Sequence, residues 1–405
     1  MVKMRYLRHP LRTSKAAKAL FAARLSMWKF AAYSERRFRG DARYDLQSVT
    51  DGFLSRIQHA DDDAEILARV CASYIRAVEQ QKFAPEAFRA TEWWQQVQQQ
   101  SLAPVMRALL TSDIEALKGM YQNFFRDPCS AGLITAPYGM SKAYFGGKIK
   151  DIHRRFYLGL VLHRFDYWME RTGGRFTLND LAGPDIGNPF GVLFGETHIR
   201  VGAEFAHYCA HKIDTLLDSK IATVAEIGGG FGGMAYYLLR DRPGVTYLDF
   251  DVPESIALTS YYLMKAFPQL RFLLFGEHNL TKKAIDEVDV VLMPTYVLAS
   301  MPPGSVDLTF SSHAMSDISS DALVEYLNHI DRVTGDCFLH IGNKRASELI
   351  SSLISQGCAS FDLVDARSSD WHSHKVFSAG IGSAEGIAAS TILEQHYMRT
   401  KSVTR

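Results

Sequence analysis

The sequence predicts an α/β chain: a mainly helical N-terminal region, then a doubly wound, Rossmann-like parallel sheet that closes on a terminal β-hairpin. Three observations predict it. Residues 224–233 read Val-Ala-Glu-Ile-Gly-Gly-Gly-Phe-Gly-Gly, a short apolar strand running through a glycine turn into a helix. From there to residue 341, short apolar runs alternate with helical patterns, as a parallel sheet requires because each crossover needs a helix. Finally, residues 361–366 and 375–381 read as two strands joined by the loop 367–374. With 405 residues, 47% of them hydrophobic, the chain has core enough for two domains or one elaborated one.

In chain order, residues 17–33 carry Leu20, Phe21, Leu25, Trp28 and Ala32 at helical spacing, interrupted by Lys18, Arg24 and Lys29. Such a basic amphipathic helix suits an anionic membrane surface, or packing on its own domain or a second subunit of a homo-oligomer. An organelle transit peptide is a weaker reading. The charge behind it is skewed: up to Arg39 the acidic Glu35 stands against eleven basic residues, which a net charge of +1 for the whole chain conceals. Asp62 or Asp63 is expected to cap a helix bearing Ile66, Leu67, Val70, Tyr74 and Val78, and Ser112 with Glu115 forms a capping-box pattern. Residues 1–130 are thus a helical region with a basic start.

Residues 131–220 mix helices at 151–171 and 201–217 with the aromatic, glycine-rich loops 137–147 and 183–191. Aromatic faces cover sugar C–H patches while amides bind hydroxyls, so Tyr138, Tyr144, Asn188 and Arg200 are candidate acceptor-binding residues. These loops read equally well as ordinary connections. Residues 221–385 form the nucleotide domain. Its strands are expected at 224–227, 245–250, 306–310 and 337–341, with 271–275 and 288–293 as two candidates for the third. Helices fit at 234–240, 255–266, 321–333 and near 347–356, and residues 386–405 read as a tail.

Five scattered cysteines without C-x-x-C spacing argue for a reducing, cytoplasmic compartment and against a disulfide framework. No apolar run approaches a membrane span, and no nucleic-acid partner is expected.

The chemistry concentrates at the glycine turn, where N–H groups and a helix N-terminus approach a ligand with no Cβ in the way. Gly228, Gly230 and Gly233 fit the dinucleotide spacing G-x-G-x-x-G, with Asp249 or Asp251 where a ribose-binding acid is expected. The same turn reads E-x-G-x-G-x-G from Glu226, the loop of S-adenosylmethionine-dependent methyltransferases. A carboxylate there suits an amino-acid moiety and would repel a pyrophosphate, so Glu226 favours S-adenosyl-L-methionine over NAD. Gly228, Gly229, Gly230, Phe231, Asp251, Val252 and Ser312 complete the candidate cofactor site. Asp251 is expected to accept the ribose hydroxyls, and Asp249 to point to the opposite face.

After the fourth strand comes Phe-Ser-Ser-His-Ala-Met-Ser-Asp, residues 310–317, which places His313 where a transferable methyl group would lie. Its ordinary pKa near 6.5 suits it to take an acceptor hydroxyl's proton, with Asp317 orienting the ring or binding the acceptor. His340, Asn343, Trp371, His372 and His374 are further lining candidates, Asn343 and His374 toward the acceptor. His372 and His374 beside Asp370 raise a metal, but without paired carboxylates after the fourth strand none is expected.

The Glu-Ile-Gly-Gly-Gly-Phe-Gly-Gly turn, Asp-Val-Pro-Glu-Ser at 251–255 followed by Tyr261-Tyr-Leu, and Ser-Ser-His-Ala-Met-Ser-Asp together resemble the bacterial sugar O-methyltransferase family. The likeness covers roughly residues 137–381. It implies a class I methyltransferase fold and methylation of a sugar hydroxyl in a glycan, polysaccharide or glycolipid, in the cytoplasm or at the inner face of the membrane. Residues 313–317 are also similar to the His-Asp-Trp-Ser-Asp element of plant-type small-molecule O-methyltransferases, whose histidine is the general base. Ala314 and Met315 replace the Asp and Trp of that element. A natural-product O-methyltransferase, a NAD-dependent oxidoreductase and a non-catalytic cofactor-binding subunit are the alternatives.

Overall fold

The computed structural model describes residues 21, 25, 27–54, 62–134, 150–316, 318–369, 371 and 391–400. Helices lead: α1 (residues 27–37, with residues 21 and 25 before it also helical), α2 (Leu46–Leu54), α3 (Ala64–Gln81), α4 (Glu92–Val97), α5 (Ala103–Thr111) and α6 (Ile114–Tyr121). One of the expected caps is shifted. Asp113, not Ser112, caps α6 by accepting from the Ala116 N–H, while Ser112 takes a left-handed conformation at the end of α5. At α3 it is Asp62 that accepts from Ala64 N–H. The neighbouring Asp63 carboxylate is buried instead against Lys265 Nζ (2.6 Å), Tyr261 Oη (2.8 Å) and Gln122 (3.0 Å), pinning the helical region to the α/β half.

Helix α7 (Asp151–Arg171) is followed by a hairpin of β1 (Gly191–Phe194) and β2 (Thr197–Arg200), strands in a stretch that reads from sequence as helix and loop. Helix α8 (Ala203–Leu216) then leads into the main sheet. Its elements are β3 (Ala222–Ile227), α9 (Gly233–Asp241), β4 (Val245–Asp251), α10 (Pro253–Ala266), β5 (Phe272–Leu274), α11 (Lys282–Asp286), β6 (Val290–Pro294) and β7 (Val306–Ser312). They continue as α12 (Ser320–Val333), β8 (Thr334–Asn343), α13 (Lys344–Leu353), β9 (Phe361–Ser369) and β10 (Ile392–Arg399).

The strand order is β5-β6-β4-β3-β7-β8-β10-β9, parallel from β5 to β8, with β10 inserted antiparallel between β8 and β9. Both candidates for the third strand are therefore strands. A mostly parallel sheet closed by one reversed strand is the class I methyltransferase, Rossmann-like α/β fold. Its central strands are buried on both faces, which is why they read as continuous apolar runs. Val224, Tyr247 and Leu308 enter a core that runs on through the N-terminal helices to Phe38, and Ala225, Leu248 and Phe338 enter the core on the other face.

The closing strand is corrected. The reversed partner of β9 is residues 392–399, inside what reads from sequence as a tail, and the expected strand 375–381 lies outside the described residues. Strand β10 is tied inward by Glu394, which is 3% exposed and accepts from Arg171 (2.9 Å) on α7 and from the Tyr208 hydroxyl (2.5 Å) on α8. Removing one partner of such a buried pair strands the other charge. Glu394→Ala is expected to cost about 3 kcal/mol of stability, read as a lowered midpoint in urea unfolding followed by circular dichroism; an unchanged midpoint would show the pair to be energetically idle.

Candidate functional site

A cavity of about 350 Å³ opens over the carboxyl ends of β3, β4, β6 and β7, at the point where the strand order reverses about β3. This is where an open α/β sheet places its ligand. Its floor is the glycine turn, and its walls include Asp251, Val252, Thr295, Ser312 and His313.

The turn can pass this close because its residues lack side chains. Gly228 has φ +82°, and a Cβ there would collide with Ala314, so the turns following β3 and β7 pack directly on each other. A Cβ on Gly229 would lie 2.6 Å from the Asp249 carboxylate. That carboxylate accepts the Gly229 N–H (3.0 Å), and Asp251 accepts the Gly230 N–H (3.0 Å). Asp249 and Asp251 therefore face the same way, against the expectation that they oppose. Residues two apart on a strand share a face. Asp249 supports the turn from below with no solvent exposure, while Asp251 lines the cavity.

Asp251 also accepts from Val252 N–H (2.7 Å) and the Ser255 hydroxyl (2.5 Å). Ser255 and Thr259 both lie 2.7 Å from the Gly230 carbonyl, and each has one proton to give. Donation by Thr259 to that carbonyl leaves the Ser255 proton for Asp251. Three of the roughly four acceptor positions of the Asp251 carboxylate are then filled from within the protein, leaving about one for a ligand.

Glu226 is the third carboxylate, 3% exposed at the cavity wall, accepting from Tyr247 Oη at 2.5 Å. Burial pushes all three above the usual carboxylate range: Glu226 to about 7, Asp251 to about 6, and Asp249 well above its ordinary value, the last also through the charges of its two neighbours. Crowded acids of this kind call for a cation.

Arg200 supplies the opposite pole. It leaves β2 with 3% exposure, lines the same cavity, and lies over the rings of Phe231 (5.1 Å) and Tyr237 (5.5 Å). Its amino groups donate to the carbonyls of Val201 and Gly233, each 3.2 Å away, while its Nε has no partner. No carboxylate pairs with it among the described residues. A buried guanidinium with no carboxylate partner retains capacity for an anion. The cavity thus holds a buried positive group together with the buried Glu226 and the half-buried Asp251.

His313 sits just past β7 with φ +65°, a left-handed conformation uncommon outside glycine. Its N–H donates to the Ile341 carbonyl (2.8 Å) and its own carbonyl accepts from Ser316 N–H, so the imidazole is held by its backbone at the cavity edge, with the Phe205 ring 6.0 Å away. The adjoining Asp317 lies outside the described residues. Behind it His340 is fully buried, its pKa driven to about 4 by burial, opposed by a Gln395 contact and reinforced by the nearby His313.

The cavity gathers Glu226, Gly228, Gly229, Gly230, Phe231, Asp251, Val252, Ser312, His313 and Arg200. It does not gather Asn188 or Asn343. Asn188 is buried in the helical region, where its amide donates to Asn123 and its carbonyl accepts from Arg126; Asn343 caps α13 through Ala346 N–H. Both side chains have structural work that a one-dimensional reading cannot see. Trp371 is buried among Tyr167, Phe205 and Tyr208, packed behind the lining residue Phe205 and not itself part of the lining. Tyr138, Tyr144, Asp370, His372 and His374 lie outside the described residues. Among the described residues no group of three His, Cys, Asp or Glu side chains is placed to hold a metal ion.

Sequence reasoning missed the wall built by residues 87–91, Trp93 and Trp94, together with residues 132–134. Trp94 Nε1 and Gln98 Nε2 both donate to Glu254 Oε1, at 2.5 and 2.6 Å, docking this N-terminal stretch beside the Asp-Val-Pro-Glu element. Phe88 meets Tyr326 of α12 at 5.0 Å between ring centroids, both lining the cavity.

No protein-family model matches the chain, and no curated protein matches it. Solved structures do, at low identity. A magnesium protoporphyrin IX methyltransferase from Synechocystis with bound S-adenosylhomocysteine is 11% identical, with 60% of this chain and 99% of that chain covered, at a TM-score of 0.32. An S-adenosylmethionine-dependent methyltransferase from Aquifex aeolicus is 13% identical (49% and 94% covered, TM-score 0.33). An N-methyltransferase from Bradyrhizobium japonicum in complex with S-adenosyl-L-homocysteine is 8% identical (49% and 88%, TM-score 0.32). The fold assignment rests on the strand order and the site above, not on these scores.

Proposed function

We propose that the chain is an S-adenosylmethionine-dependent O-methyltransferase whose acceptor is a hydroxyl of a sugar in a glycan, polysaccharide or glycolipid. The observation that carries the donor is the pairing of a buried cation with acids in one cavity, Arg200 against the buried Glu226 and the half-buried Asp251. A zwitterionic amino acid on a nucleoside satisfies both poles. A pyrophosphate would add negative charge to a floor that already holds three carboxylates, so NAD fits poorly.

In this reading Glu226 takes the donor's ammonium and Arg200 its carboxylate. Asp251 takes a ribose hydroxyl at its remaining acceptor position, while Val252, Thr295, Phe88 and Tyr326 enclose the base. The donor supplies an electrophilic methyl group on a sulfonium. The chain's part is to aim an acceptor oxygen and receive its proton. His313, which lines the cavity just past β7, is the residue to which this reading gives that role. The sugar as acceptor rests on the resemblance of the glycine turn, the Asp-Val-Pro-Glu element and the 310–317 stretch.

Calorimetry with S-adenosylhomocysteine and with NAD tests the donor directly; tight NAD binding would overturn it. Arg200→Gln is expected to weaken S-adenosylhomocysteine about tenfold or more, roughly 1.4 kcal/mol or above, while binding of methylthioadenosine, which lacks the amino acid, stays unchanged. Equal losses for both ligands would remove Arg200 from the carboxylate site.

The raised acids give binding a sign with pH. In the free protein Glu226 and Asp251 hold protons up to about pH 7 and 6, and a cationic donor favours their charged forms. Affinity for S-adenosylmethionine should therefore rise across about pH 6 to 7 with net proton release, measured by calorimetry in buffers of different ionisation enthalpy. Proton uptake would contradict the assignment. For the chemical step, His313→Ala should keep donor affinity and lose about 10² to 10⁴ of turnover, followed as S-adenosylhomocysteine formation over a panel of nucleotide sugars and oligosaccharides. Unchanged turnover would remove His313 from the role of base.

A further inference from the structure

We infer that α1 is a docking element for an anionic lipid surface, a function independent of the donor site. The helix presents two faces. One is packed: Phe30, Ala31, Ser34 and Phe38 are buried, with Phe30 against Phe156 (5.3 Å) and His163 (5.6 Å) of α7. Gly159 of α7 lets Ser34 close in, since a Cβ there would collide with its hydroxyl. Ion pairs Arg155–Glu35 and Arg37–Asp166, at 2.5 and 3.1 Å, fasten the same side.

The other face is bare. Phe21 is 70% exposed, Leu25 45% and Trp28 62%, with Ala32 exposed beyond them. Their spacing of four, three and four residues is one stripe of a helix. Exposed Lys29 and Arg36 lie on that helix on the same flank of the stripe. Upstream, residues 1–20 add six Lys or Arg and no acid. The single acid of the first 39 residues, Glu35, is already engaged by Arg155.

Charge and chemistry together select the occupant. Leaving Phe, Leu and Trp in water is unfavourable, and a bilayer interface buries such a stripe while its headgroups meet the flanking cations, each worth roughly 1 kcal/mol near an anionic leaflet. A second copy would set two strongly cationic segments face to face. A nucleic acid would answer the cations and leave Phe21 and Leu25 uncovered. Among the described residues no helix is long and apolar enough to cross a membrane, so the contact is peripheral.

The test is co-sedimentation of the full chain with vesicles of phosphatidylcholine alone or mixed with phosphatidylglycerol. The expected result is pelleting with the anionic vesicles only, weakened by salt. The variant Phe21→Ser/Leu25→Ser/Trp28→Ser should lower it at least about tenfold while keeping S-adenosylhomocysteine affinity, since these residues are remote from the cavity lining. Absence of binding to anionic vesicles overturns the proposal. So does a dimer in analytical ultracentrifugation that the variant dissociates, which would assign the stripe to a second copy, or vesicle binding that the variant retains in full.

Discussion

The structure depends on a concentration of negative charge beneath a bend of bare backbone. Asp249 and Asp251 each hold one N–H of the glycine turn, and Glu226 lies on the neighbouring strand in register with Asp249. Three acids at the ends of two adjacent strands are costly to bury and settle the shape of everything near them. Position 229 must be glycine because Asp249 fills the space beneath it, and position 228 because Ala314 does. The strands must be parallel and adjacent for the acids to converge. Arg200, carried in from the hairpin that precedes the sheet, brings a buried positive charge to the cavity above, which Arg89 also lines.

That arrangement explains why so much of the α/β half was legible in one dimension. Strands buried on both faces leave continuous apolar runs, and glycines needed for close approach cannot be replaced without collision, so β3, β4, β7 and β8 are visible in the residues themselves. Strand β10 is the instructive failure. It lies between β8 and β9, yet it carries Glu394, Gln395 and His396 in mid-strand. Glu394 and Gln395 are tolerated because Arg171, Tyr208 and Ser351 meet them from distant parts of the chain. Partners brought by tertiary structure are invisible to periodicity, and the segment passes for a tail.

The site divides in the same way. Residues on the motif-bearing turns, from Glu226 to Phe231, Asp251 and Ser312 to His313, are found from sequence because backbone geometry alone places them. Asn188 and Asn343 have residue types that suit an acceptor, and each is consumed by a hydrogen bond, Asn343 at the cap of its own helix and Asn188 to the distant Asn123. The shared face of Asp249 and Asp251 follows from strand alternation and was open to reading. The wall from residue 87 to Trp94 carries no signal, since its role comes from the docking of α4 on Glu254.

That docking has a consequence for how the molecule divides. The indole of Trp94 and the amide of Gln98 converge on one carboxylate oxygen at the foot of α10, and Phe88 leans on α12. One compartment is therefore walled by segments more than two hundred positions apart. The sheet half is not a portable module: a chimera that transplanted it behind a foreign leader would carry the motifs yet leave one side of the chamber unbuilt.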